Sequence, residues 1–209
     1  MAQYDHPIDV WNAALLRLGE LPTQEGSADA EARIFRGVFD GVARSMMARH
    51  KFGFARKETK LNYKGEDQRD GYHLFQMPSD YLLIHSVSGH GQRSRHHEIR
   101  GDTLVAPYGP DVELFVLYTY YAPVSLWAPD FAEAVVTHCQ GLLNKALREE
   151  RVEGENQIRR ADQLLLEAIA RDKYANPPEK WIVPELPKVY SRSRNRRLPP
   201  VINTISSVR

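Results

Sequence analysis

The sequence predicts an α+β fold, mainly α: a four-helix bundle interrupted by a small antiparallel β region, with an extended C-terminal arm. Three observations predict it. Apolar residues recur at helical spacing over residues 7–18, 29–50, 130–149 and 156–174. Between them, residues 52–121 carry short alternating and aromatic runs punctuated by turn residues. From residue 176 on the chain is proline-rich and basic, and reads as an arm separate from the 7–175 body.

The chain is organised around the second helix. Phe35, Val38, Phe39, Val42, Ala43 and Met46 fall at i, i+3, i+4, i+7, i+8 and i+11, a wide apolar face that needs partners on more than one side. Arg36–Asp40 and Asp40–Arg44 have the spacing of helical ion pairs. Asp29, or Ser27 before it, is the expected N-cap. The first helix opens at Pro7 and stops at Gly19, with Ile8, Trp11, Leu15 and Leu18 on one side. Its short link to the second helix allows an antiparallel pair. Asp130 with Glu133 resembles a capping box for the third helix, and Phe131, Val135, Cys139 and Leu142 form its stripe. Residues 149–155 read as a charged break around Gly154 before the last helix.

In the β region, extended chain is expected at Phe52, Phe54 and 59–63, then at 72–77 and 81–87. Gly101-Asp102, flanked by 98–100 and 103–105, predicts a tight hairpin. Val112–Tyr121 is the strongest strand. Val112, Leu114, Val116, Tyr118 and Tyr120 face one way, and Phe115, Leu117 and Tyr121 the other. Apolar residues on both faces predict cover on both, from helices or from another subunit.

Charge is balanced overall at +1, but the arm holds seven basic and two acidic residues, a local +5 that leaves −4 for the body. A basic tail on a mildly acidic body suggests an acidic partner. The arm has six prolines in its 34 residues, so it cannot build its own core. Trp181-Ile182-Val183 and Val189-Tyr190 are apolar anchors, and Arg192, Arg194, Arg196 and Arg197 a cationic run. Trp181, Ile182, Val183, Tyr190 and these four arginines are the candidate partner-binding residues. Fully extended, the arm would reach about 110 Å. Single Cys139 forms no internal disulfide, no run suits a membrane span, and the N-terminus lacks a signal-peptide layout, which together predict an intracellular product with no membrane partner.

No catalytic, cofactor or metal site is expected. His73, His85, His90, His96 and His97 crowd the β region without the spacing or cysteines of structural zinc motifs, and read as loop histidines. Cys139 sits on an apolar stripe as a small hydrophobe, and adjacent His138 faces elsewhere. Glu149, Glu150, Glu153 and Glu155 read as a solvated break and not as paired catalytic carboxylates. No nucleophile elbow or phosphate-binding glycine loop is present. The arginine run and Tyr190 suit sequence-independent phosphate contact or an acidic protein surface.

Several stretches carry a resemblance. Trp11-Asn12-Ala13-Ala14-Leu15-Leu16-Arg17-Leu18-Gly19, the acidic-Ala helix start Asp29-Ala30-Glu31-Ala32-Arg33, Lys51-Phe52-Gly53-Phe54-Ala55, Gln76-Met77-Pro78-Ser79-Asp80-Tyr81-Leu82 and Ile99-Arg100-Gly101-Asp102-Thr103-Leu104 occur in that order. The aromatic strand and Phe131-Ala132-Glu133-Ala134 complete the series. The order resembles that of phage head-to-tail adaptor proteins of the tail tubular protein A type, over roughly residues 7–172. Phe52 stands where tryptophan is commoner, and the 89–97 loop is unusually basic. The resemblance implies a structural, non-enzymatic virion protein at the head–tail junction, made in the host cytoplasm. Its implied partners are the portal protein, tail nozzle or tail tube proteins, further copies in a dodecameric ring, and packaged DNA. Such rings use head-to-tail contacts that close on themselves. The alternatives are a virion-associated hydrolase and a nucleic-acid-binding protein acting through the arm.

Overall fold

The computed structural model describes residues 4–89, 92–94 and 96–177, and the compact unit ends at Pro177. Four helices run Pro7–Arg17 (α1), Ala30–Met47 (α2), Pro129–Leu147 (α3) and Arg151–Ala175 (α4). Between α2 and α3 lie strands Arg56–Lys60 (β1), Asn62–Glu66 (β2), His73–Gln76 (β3), Tyr81–Gly89 (β4), Gln92–Arg93 (β5), Glu98–Arg100 (β6), Thr103–Ala106 (β7) and Leu114–Tyr120 (β8). They form two four-stranded antiparallel sheets, ordered β1-β8-β4-β5 and β2-β3-β7-β6.

This overturns the expectation of a mainly α bundle with a small β insertion. The strands build their own core within the same compact unit, so the fold is a mixed arrangement of helices and sheets. Leu61, Phe75, Val87, Leu104, Leu114, Val116 and Tyr118 fill the space between the sheets. Each such burial stabilises by about 1.5–3 kcal/mol. Nor do the helices share one bundle seam. Central α3 has residues buried nearly all round, and α1, α2 and α4 each pack on it. Trp11, Leu15, Phe35, Phe39, Phe52, Trp127 and Phe131 form that core. Trp127 and Phe131 meet edge-on at 5.1 Å, as do Phe52 and Phe131 at 5.0 Å.

Local chemistry explains most boundaries. Asp29 caps α2 by accepting from the Ala32 N–H at 2.8 Å, as the sequence suggests. Thr23 and Ser27 hydroxyls donate to the same carboxylate at 2.6 and 2.7 Å, so three donors hold its pKa below the usual range. Gly101 takes φ +59° in the β6–β7 hairpin, a conformation that favours glycine. The expected capping box at Asp130 is absent. Ala128 is the N-cap and Pro129 the first helical residue. Asp130 pairs with Arg171, and Glu133 forms a two-pronged pair with Arg17 at 2.8 and 2.7 Å. The ion pairs expected along α2 are also replaced. Arg36 donates to the carbonyls of Glu25 and Ser27, and Asp40 accepts from the Tyr121 hydroxyl at 3.0 Å. Arg44 lies over the Tyr121 ring, 4.4 Å from its centre.

The expected break at 149–155 shrinks to three residues, 148–150, with Glu149 at φ +57°. Gly154 is a contact point inside α4. A Cβ there would lie 2.6 Å from the Gly141 carbonyl, and one on Gly141 would lie 2.7 Å from the Gly154 carbonyl. The two glycines let α3 and α4 touch backbone to backbone.

Candidate functional site

The arm residues singled out by sequence, Trp181, Ile182, Val183, Tyr190, Arg192, Arg194, Arg196 and Arg197, lie outside the described residues. The described chain ends in a polar clamp at the foot of α4. The Asp172 carboxylate accepts from the Gly53 N–H at 2.9 Å, lies 3.1 Å from His50 Nε2, and accepts from the Asn176 amide at 3.1 Å. The His50 and Asp172 side chains are only 13% and 14% exposed. One carboxylate therefore joins the end of α2, the corner before β1 and the last turn of α4.

The histidines are dispersed. His73 meets the Tyr63 hydroxyl at 3.3 Å, His85 bonds Thr119 Oγ1 at 2.7 Å, and His96 and His97 are exposed; His90 is outside the described residues. No group of three or more His, Cys, Asp or Glu among the described residues is placed to hold a metal ion. Cys139 is fully buried, and burial pushes its thiol up to about 12, so it is no thiolate nucleophile. Half-buried His138 has an unpartnered Nδ1, and its pKa is lowered by burial and by Arg49, against a raising influence of Asp162.

The four glutamates also separate. Glu149 and Glu150 are exposed, Glu155 pairs with Lys145 at 3.9 Å, and Glu153 lines a polar cleft of about 390 Å³ with Arg17, Glu133 and Arg160. A second cleft, about 440 Å³, lies where the two sheets part, and sequence reasoning missed it. There Asp80 accepts from Lys57 Nζ at 3.2 Å and from the Tyr118 hydroxyl at 3.0 Å. The Asp80 bond raises the Lys57 pKa, while burial and then that bond raise Tyr118. Both donors are held protonated, the opposite of what a lysine or tyrosine base needs. The constellation fastens the β3–β4 turn to β1 and β8. The resemblance to Gln76–Leu82 touched the turn, but the partners on β1 and β8 are non-local.

A partly covered apolar feature is the second face of β8. Leu114, Val116 and Tyr118 face the inter-sheet core, as the alternation predicts, whereas Phe115 and Leu117 face outward and are only partly buried. Across the sheet they align with Lys60 and Glu58 on β1 and with Ser88 and Ser86 on β4. Next along the same face is the row Arg56, Thr119 and Leu83, the last 40% exposed. The register slips between Ile84 and Ser86, making His85 the extra residue of a bulge whose ring turns onto Thr119.

No protein-family model matches the chain. No curated protein matches it either. No helix among the described residues is long and apolar enough to cross a membrane. Candidate roles for this protein therefore rest on its residues and their arrangement.

Proposed function

We propose that the protein is a ring-forming head-to-tail adaptor of a phage virion, a structural protein and not an enzyme. In this reading it docks under the portal, closes the DNA-filled head and presents a platform to the tail. The arm, through Trp181–Val183, Tyr190 and the arginines, fastens it to the portal.

The observation that carries the reading is the ordered series of motifs, together with the work each residue does. Trp11 is fully buried in the helical core, and Asp29 caps α2. Phe52 and Phe54 pack on Phe131 at the corner between helices and sheets. Asp80 ties the β3–β4 turn, and Gly101 turns the hairpin. Each motif sits at a junction where one element is fixed to another.

The test is electron microscopy of the purified protein with and without portal. Twelve-fold rings on portal particles are expected. A monodisperse protein that leaves portal undecorated at saturating concentration would remove the reading.

A further inference from the structure

We infer that the outer face of the β1-β8-β4 sheet is a docking surface for an acidic, apolar segment of another protein. The segment would place apolar side chains over Leu83, Phe115 and Leu117 and a carboxylate at the Lys51–Arg56–His85 end. The inference does not rest on the adaptor reading.

The apolar strip is the first component. Phe115 and Leu117 belong to neither hydrophobic core, and Leu83 is exposed beside them. The same sheet buries its other face completely at Leu114 and Val116. Leaving two large apolar residues only partly buried at the centre of a sheet forfeits burial that a partner would complete.

Charge selects the occupant. Arg56 stands directly across from Thr119, onto which the bulge turns His85. Lys51, at the corner after α2, acts on the same imidazole. Neither Lys51 nor Arg56 forms an ion pair among the described residues, although thirteen such pairs occur elsewhere in them. His50 nearby is already matched by Asp172, and Lys60 at the far end by Glu113 at 2.6 Å. Lys51 and Arg56 thus leave positive charge without an ion-pair partner at this end of the strip, while Arg93, aligned with Ser88 and Phe115, brings a further cation to the other end. The repulsion at the Lys51–Arg56 end, with burial the larger cause, holds the His85 pKa down, and a carboxylate would relieve it. Glu58, aligned with Leu117, repels a second carboxylate at mid-strip.

Selection of a random displayed peptide library on the full-length protein tests this. Enriched peptides should carry Asp or Glu beside Leu, Ile, Phe or Val. An enriched peptide, synthesised, should shift the amide resonances of Leu83, Phe115, Leu117 and Thr119. Its carboxamide version should bind more weakly. The double variant Lys51→Glu/Arg56→Glu should lose at least about tenfold in affinity, and the milder Lys51→Ala/Arg56→Ala pair less, with unchanged circular dichroism. Enrichment of basic or uncharged peptides, shifts mapping elsewhere, or no enrichment at all would overturn the inference. So would concentration-dependent shifts of these amides without peptide, accompanied by a dimer in sedimentation, because the occupant would then be a second copy.

Discussion

Asp172 shows how a single side chain can decide where a helix ends. Its carboxylate answers the Gly53 N–H, His50 and Asn176 while 14% exposed, so removing it strands a buried donor. Asp172→Ala is expected to cost about 2–3 kcal/mol in urea unfolding. A loss below about 0.5 kcal/mol would mean that water replaces the clamp without penalty. Two histidines contribute to the pH response. His138 and His85 both have lowered pKa values, chiefly through burial. A lowered folded value means that the unfolded chain binds the proton more readily. Their stability contribution is therefore full above the unfolded value of about 6.5 and is lost as pH falls through the folded values. The unfolding midpoint should be flat above that pH and decline below it, and His138→Gln should flatten the decline. The Cys139 thiol, pushed up to about 12 in a closed core, should resist Ellman's reagent at pH 8 until the protein unfolds. At this scale the sequence was readable where the chemistry is local. The Asp29 cap needs only residues 23–32. Asp130 and Glu133 misled because their partners, Arg171 and Arg17, come from distant helices and outcompete a local cap.

Among elements, the α3–α4 contact is the tightest. Gly141→Ala must push a methyl group toward the Gly154 carbonyl and Ile158, and is expected to destabilise by about 1–3 kcal/mol in thermal or urea unfolding. Gly154 was misjudged as a breaker because propensity treats glycine as a weakness, whereas a partner helix converts it into a seat. The helix periods and the hairpin could be read directly, since i, i+3, i+4 spacing and a two-residue turn are short-range signals. The weight of the β region could not. Each strand is short, and β1 finds β8 only across most of the inserted chain. Residues 59–63 read as one extended piece, yet the chain changes sheets at Leu61. The two-faced character of Val112–Tyr121 was visible; that its second face would remain only partly buried was not, because cover is a property of the assembly.

For the molecule as a whole, the compact unit that holds both hydrophobic cores ends at Pro177. Truncation after Pro177 keeps Asp172 and Asn176 in place, so the melting temperature should stay within about 2 °C of the full chain. In the adaptor reading the same truncation abolishes portal decoration, and cosedimentation with portal particles checks it. A shortened protein that still decorates portal would assign attachment to the body.

Leu61 has a consequence for how the gene can change. It alone separates β1 from β2, it is 4% exposed, and its N–H donates to the Leu114 carbonyl at 2.8 Å. Losing or gaining one codon between 56 and 66 would shift two pairings together and turn inward-facing side chains outward in both sheets. Length variation among descendants of this gene should therefore collect in 67–72 and 107–113, and the ribbon between them and α2 should keep its count.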